Sequence, residues 1–360
     1  MRVLIRTWYI LSSVFLVITI TNLLPNWPQG GQPSPLLKEP GIPPAVVPHG
    51  GAKLLYPENT VFSFWAMNDA GYEVFEIDLA LTRDGQLISH HDLDIQGTTG
   101  ISGRRVDSFT YDELLGFNFG SQFQSLNGDF PYRDLNAQGT KRERAILQTL
   151  VPARLEDLFV AFPDKQFLLE LKDTVPGSGD SQAKAAAAEL VRLIARYGMS
   201  DKVTISSFDD QVISYLTQFS RGILPLRVAA STQDSVIFAI ITSLRLGFFL
   251  WPSYDAFMLP ADSVLEGSLR TTLEKLPAFI RDSIARYDET RDVWYSDLGR
   301  GSIIRTAHKL GKAVYYWTVN SPQIAGKLTQ LHADGIITDR PDIISSVVSE
   351  TQRQQNNTRD

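Results

Sequence analysis

The sequence predicts an α/β chain folded as a (β/α)8 TIM-type barrel, with a small inserted lobe and an N-terminal transmembrane anchor. Three observations carry that expectation. Short β-branched apolar runs alternate with helical stretches, eight such runs fall between residues 45 and 348, and a longer apolar run opens the chain behind two arginines. Strand–helix alternation calls for a parallel sheet covered by helices. Eight units over roughly 300 residues suit a closed barrel better than an open doubly wound sheet.

Taken in order, Arg2 and Arg6 precede the apolar run Trp8–Leu24. As a helix rising about 1.5 Å per residue, that run reaches roughly 25 Å, a little short of a hydrocarbon core. No small-residue cleavage pattern follows it, so residues 1–24 read as a membrane anchor, with a cleaved signal segment or a buried helix as alternatives. The basic flank places the remainder outside the cytoplasm, on the periplasmic or extracellular side, and secreted if the segment is cleaved. Residues 25–44 include Pro33, Pro35, Pro40, Pro43 and Pro44 and read as a semi-rigid linker lifting the barrel off a bilayer.

The barrel is expected over residues 45–348. Its strands are Ala45–Val47, Val74–Leu81, Phe167–Leu171, Val203–Ser206, Ile223–Val228, Ala256–Leu259, Ala313–Val319 and Gly335–Thr338. A further strand, Gln86–His91, follows the turn signal Asp84-Gly85 and should pair back on Val74–Leu81. Residues 92–150 are too many for an ordinary connection and form the inserted lobe. Helices are expected at Ser181–Tyr197 and Leu269–Tyr287. Val236–Trp251 reads as a buried barrel helix, or as a surface that dips into lipid. Residues 349–360 form a polar tail, frayed from Thr351 onward.

Composition narrows the function. With 360 residues, 43% hydrophobic and 21% charged, the chain is neither disordered nor a polytopic membrane protein. Lys plus Arg number 34 against 40 Asp plus Glu, a net charge of −6, which gives no basic footprint for nucleic acid. The absence of cysteine excludes disulfides, thiolate metal sites and a Cys nucleophile, while leaving the compartment open.

Polar residues gather where barrel strands end, which is where this architecture keeps its active sites. The first strand ends at His49-Gly50-Gly51. Glu76 and Asp78 lie two apart on one face of the second, and Glu170 and Lys172 share a face of the third. Three converging carboxylates ask for a cation, and oxygen ligands favour Ca²⁺, Mg²⁺ or Mn²⁺. Nearby histidines could supply an acid and a base, and Lys172 could neutralise an anion. Metal-assisted hydrolysis of a phosphate ester follows. Each element taken alone also has a structural explanation, such as a neighbouring ion pair at Glu170 and Lys172.

Order and spacing add the decisive weight. His49-Gly50-Gly51, Pro57-Glu58-Asn59-Thr60, Gly71 to Asp78, Leu81 to Gly85 and His91-Asp92 succeed one another along the chain. Glu170-Leu171-Lys172, Ser206-Ser207-Phe208, Trp317 to Asn320 and Gly335 to Asp339 come later. This series resembles the glycerophosphodiester phosphodiesterase family over about residues 45–348. The resemblance implies a TIM-type barrel that hydrolyses glycerophosphodiesters to glycerol 3-phosphate and an alcohol. It also implies that His49 and His91 are the acid–base pair and that Glu76, Asp78 and Glu170 hold one divalent cation; the expected location outside the cytoplasm favours Ca²⁺ over Mg²⁺ or Mn²⁺. Lys172 would then contact phosphate, and Trp317 would pack near the glycerol end.

The chain departs from the family pattern at Gly50, where an Arg is usual; Lys53 or Arg104 could supply the missing positive charge. His90 is expected to be structural, and His308 and His332 to lie on outer helices. Asn59 or Thr60 could cap the helix that follows. The expected partner is a small-molecule or lysolipid phosphodiester, with the membrane reached through the N-terminal segment. Two further readings are a lysophospholipase D or sphingomyelinase D type enzyme, and a catalytically weak barrel that binds a phosphorylated ligand at a membrane.

Overall fold

A computed structural model of the chain describes residues 12–13, 16–24, 27 and 32–358. Eight parallel strands form the expected barrel. In chain order they are β1 (Ala45–Pro48), β2 (Val74–Leu81), β4 (Gln166–Leu171), β5 (Val203–Ser206), β6 (Arg227–Val228), β7 (Ala256–Pro260), β11 (Ala313–Trp317) and β12 (Gly335–Thr338). Between them fall β3 (Leu87–Ser89), β8 (Val264–Leu265), β9 (Ala285–Asp288) and β10 (Val293–Ser296), all in antiparallel pairings. The parallel ladders make two arcs, β2-β4-β5-β6 and β7-β11-β12-β1. A parallel bridge from Ala229 to Ala256 joins the arcs at one seam, and β1 lies beside β2 at the other.

Strand alternation sorts the side chains. On β2, Phe75, Ile77, Leu79 and Leu81 point outward into a core shared with the surrounding helices, and on β4 Phe167, Leu169 and Leu171 do the same. The alternate positions face the barrel axis. There Val47, Leu168, Ala256, Ala313, Tyr315 and Ile337 pack into an apolar plug. Register sets Asp78 opposite Glu170 and Glu76 opposite Leu168, so the carboxylates stand above that plug at the open end.

The connections match the expectation in part. β3 pairs antiparallel with β2, Leu79 opposite Ser89, as the Asp84-Gly85 turn predicts. Within residues 92–150, Ile95, Val106, Phe109, Leu114 and Phe119 pack with Ala80 of β2 and Ile88 of β3 into a small core. The fifth expected strand shrinks to Arg227–Val228. The expected helix Leu269–Tyr287 is instead two helices, Gly267–Glu274 and Ala278–Ile284, followed by β9. Pro277 separates them in an extended conformation, with no amide to continue the first helix. Together with β8, β9 and β10 these helices make a second inserted lobe, unforeseen in the sequence. Val236–Trp251 likewise divides: a helix covers Thr232–Ser243, capped by Ser231, and Arg245 then takes a left-handed φ of 59°. Phe249 and Trp251 are left exposed.

Both ends differ from expectation. The described residues of the linker, Trp27 and 32–44, lie against the barrel where a spacer was expected. Trp27 is buried against Gly247 and Phe248, the Ser34 amide donates to the Gly311 carbonyl at 2.8 Å, and the Lys38 amide donates to Asp334 at 2.8 Å. A buried indole ring and backbone amides satisfied on the barrel outweigh proline stiffness. The polar tail is helical as far as Asn357, because Thr351 is buried and Gln352 donates to the Gly41 carbonyl. Among the described residues no helix is long and apolar enough to cross a membrane. The expected anchor falls in part on residues 1–11 and 14–15, outside the described residues.

Candidate active site

His49 sits at the end of β1, where the chain turns sharply through Gly50 (φ +51°) and Gly51 (φ +80°). Close packing requires glycine at Gly51, while at Gly50 the left-handed φ disfavours a side chain and the flexible Lys53 stem stands in the way. A Cβ on Gly51 would meet the Ser63 hydroxyl at 2.2 Å, and one on Gly50 would meet Lys53 Cε at 2.4 Å. The tight turn also aims the Gly50 amide at Glu76 Oε2, 2.7 Å away. Lys53 thus fills the space a side chain at position 50 would need. Its ammonium lies 3.1 Å from Asp78 Oδ2 and 2.9 Å from Glu58. Arg104 takes no part, stacking instead over Phe109 in the lobe.

Asp78 is fully buried and heavily supported. Asn59 Nδ2 donates to its Oδ2 at 2.8 Å, Lys53 approaches the same oxygen, and Lys172 Nζ lies 3.0 Å from Oδ1. Burial opposes its charge, but the two ammonium groups overcome that cost and hold the carboxyl well below the usual range. Glu76 moves the other way: burial first, then the neighbouring Asp78 charge, push it above the ordinary carboxylate value. Glu170 is held by Lys172, whose ammonium also serves Asp78. Two lysines thus do part of the neutralising that sequence reasoning assigned to a cation alone.

Both candidate catalytic histidines line one cavity, and each is oriented by a carboxylate. His49 Nδ1 is 2.7 Å from Asp339 Oδ1, and His91 Nδ1 is 2.7 Å from Asp92 Oδ1. Burial would lower the His49 pKa, yet Glu76 and the Asp339 hydrogen bond raise it above its ordinary value. Asp339 is fixed in turn by Asn320, whose Nδ2 donates to Oδ2 at 2.7 Å and whose Oδ1 accepts from the Asp339 amide at 2.9 Å. His90 points elsewhere, donating through Nε2 to the Asp94 carbonyl at 3.0 Å and meeting Phe119 edge-on. Its burial depresses its pKa, consistent with a neutral structural ring. His308 bonds the buried Asp334 at 2.9 Å, and His332 is exposed beyond the end of a helix.

The same cavity, about 400 Å³, brings together His49, Glu76, His91, Glu170, Lys172 and Trp317. Trp317 meets Phe208 edge-to-face at its rim. One ligand atom from each of His49, Glu76 and Asp78 lies within 4.8 Å of the others, close enough to share an ion. Two carboxylates and an imidazole suit a hard divalent cation, so the residues present fit one. Glu170 stands outside this group. Sequence reasoning had not singled out Asn59 or the Asn320–Asp339 pair as parts of the site. Their signal was membership of the motif series Pro57 to Thr60, Trp317 to Asn320 and Gly335 to Asp339, where Asn59 was expected only as a helix cap.

The model of the glycerophosphoryl diester phosphodiesterase family matches residues 49–343. The chain belongs to that family. A Mycobacterium tuberculosis protein named "Probable glycerophosphodiester phosphodiesterase 2" is 25% identical over 321 residues, covering 89% of this chain and 96% of its own. Among solved structures, the glycerophosphoryl diester phosphodiesterase domain of another M. tuberculosis protein superposes with a TM-score of 0.61 at 15% identity, covering 87% and 100% of the two chains. An Oleispira antarctica phosphodiesterase in complex with its product sn-glycerol-3-phosphate gives a TM-score of 0.53 at 17% identity, covering 85% and 97%. Both superpositions speak to the barrel fold. Family membership makes this barrel a phosphodiesterase, and His49, Glu76 and Asp78 are its candidate metal-binding group.

Proposed function

We propose that the chain hydrolyses glycerophosphodiesters to glycerol 3-phosphate and an alcohol by paired histidine acid–base catalysis with one divalent cation. The observation that carries this reading is the pair of carboxylate-oriented histidines in one cavity with Glu76, Glu170 and Lys172. Glu76 and Asp78, with Glu170 nearby, would hold the cation, which when bound polarises phosphoryl oxygens. Asp339 and Asp92 hold the Nδ1 side of each ring, leaving Nε2 for the substrate. One histidine takes the proton from the attacking oxygen, either water or the neighbouring glycerol hydroxyl. The other protonates the departing alkoxide. Lys172 offsets the negative charge that gathers at phosphate, and Trp317 covers the glycerol.

At Gly50 the stem of Lys53 packs where a side chain would begin, and its ammonium is committed to Asp78 and Glu58. Ca²⁺ is the favoured ion, given a location outside the cytoplasm that rests on Arg2, Arg6 and the run Trp8–Leu24. Cell fractionation tests that location. The activity is tested by choline release from glycerophosphocholine in Ca²⁺, Mg²⁺ and Mn²⁺, before and after chelation. Activity that persists in the chelated enzyme would remove the cation from the mechanism.

A further inference from the structure

The candidate metal group carries positive charge supplied by the chain itself. Lys53 leaves the turn after β1 and runs its stem past Gly50, where a Cβ would stand 2.4 Å from Lys53 Cε and 3.3 Å from Cγ. Gly50, where the chain departs from the family pattern, leaves that stem its path. The ammonium ends 3.1 Å from Asp78 Oδ2 and 2.9 Å from Glu58 Oε2, with 17% of the side chain exposed. Asn59 Nδ2 donates to the same Asp78 oxygen at 2.8 Å. Lys172 Nζ stands 3.0 Å from Oδ1, yet among the described residues that buried oxygen accepts no hydrogen bond, which leaves it the one free to meet a cation. Both oxygens of a fully buried carboxylate thus face an ammonium.

Lys53 is not among the residues that line the cavity, whose polar wall is built by His49, Glu76, Glu170 and Lys172. It therefore acts on the site through Asp78. A positive charge held beside that carboxylate has two effects. It offsets the mutual repulsion of Glu76, Asp78 and Glu170, so the group stays assembled on its own, and it repels an ion that comes to share Asp78. We propose that Lys53 is a built-in counter-ion of the metal group, a positioning residue that makes the divalent cation a weakly held, exchangeable cofactor. This rests on the reading of His49, Glu76 and Asp78 as the cation group. The sign of the effect separates it from a purely structural role. Removing a lysine that only supports the fold loosens cation binding together with the structure, whereas removing a counter-ion tightens it.

The test titrates the chelator-treated full chain with Ca²⁺ and with Mn²⁺ by calorimetry, alongside thermal melts in chelator and in about 1 mM cation. Lys53→Gln keeps a donor for Asp78 without the charge, and Lys53→Met removes both. Each variant should bind the cations at least about tenfold more tightly than the parent, since a like charge at this range has been taken away. Each should also melt lower than the parent in chelator and gain more from added cation than the parent does. Equal or weaker binding in Lys53→Gln, the variant that keeps the donor, would overturn the counter-ion role and leave the cation group standing. Parent and variants that all bind neither ion would instead bring down the cation group, and this inference with it.

Discussion

At the scale of single residues, the site is organised through charges that cannot be judged one at a time. Asp78 is ionised because Lys53, Lys172 and Asn59 surround it, and Glu76 resists ionisation because it is buried and because Asp78 already carries a charge beside it. Removing one partner therefore strands the other. Lys53→Met is expected to destabilise the fold by about 3 kcal/mol, since it leaves a buried carboxylate short of a cation. Urea denaturation of variant and parent checks this, and equal midpoints would refute it. His49→Ala and His91→Ala should each lower kcat by about 10²- to 10⁴-fold, the usual contribution of a positioned acid or base. Asp339→Asn should cost less, about 10- to 100-fold, because the ring remains but loses its orienting carboxylate. That variant also removes an interaction that raises the His49 pKa, so the pH–rate limb belonging to His49 should move to lower pH. A limb that stays in place would mean that Asp339 does not act on His49.

At the scale of elements, the loops at the barrel mouth are fixed by side chains that serve the backbone. Thr60 and Ser63 form a reciprocal capping pair, the Ser63 amide donating to Thr60 Oγ1 and the Thr60 amide to Ser63 Oγ, each at 3.2 Å. The helix they start packs against the turn bearing His49. Of the two candidate caps, Thr60 holds the helix and Asn59 holds Asp78. Asp173 plays a similar part beyond β4, its Oδ2 accepting the Leu81 amide at 2.6 Å. Burial outweighs that hydrogen bond and pushes Asp173 up from 3.8 to about 6. Because its pKa is raised on folding, the folded state binds the extra proton between those values, and stability is lost as pH rises through about 6. Asp173→Asn keeps an acceptor for the Leu81 amide without the charge. It should stabilise the protein by roughly 1–3 kcal/mol above pH 7 and make no such difference below pH 4. Thermal melts across that range decide it; a constant offset at every pH would point to packing instead.

At the scale of the whole molecule, Trp27 packs as part of the barrel. Trp27 is 5% exposed, its Nε1 donates to the Thr21 carbonyl at 2.7 Å, and its ring fills a recess over Gly247. Trp27→Ala should cost about 3–5 kcal/mol, as large aromatic truncations in cores do. Calorimetry of that variant measures the loss directly, and a shift of less than a degree would show that the segment is not part of the folding unit. The two lobes divide the mouth between them. The first carries residues next to His91, and the second lines part of the cavity.

How much of this was legible in the sequence depended on how local the cause was. Glu76 and Asp78 shared a face because strand geometry has a period of two, and the fold and the candidate site followed from such short-range patterns together with motif order. All eight barrel strands could be found that way, although β6 was overdrawn, because a β-branched run reports propensity and not the ladder it joins. The second lobe was missed because Leu269–Tyr287 has helical composition up to Pro277 and beyond, and only pairing with β10 makes β9 a strand. What the sequence determined by itself was the family and its barrel, along with the candidates for holding a cation, moving a proton and facing a phosphate. Only the tertiary structure decided how the charges are shared among them and which residues complete the cavity wall. Lys53 reaches Asp78 through the space left by Gly50, and residues of the second lobe line the cavity beside the histidines, because both depend on residues far apart in the chain meeting in space.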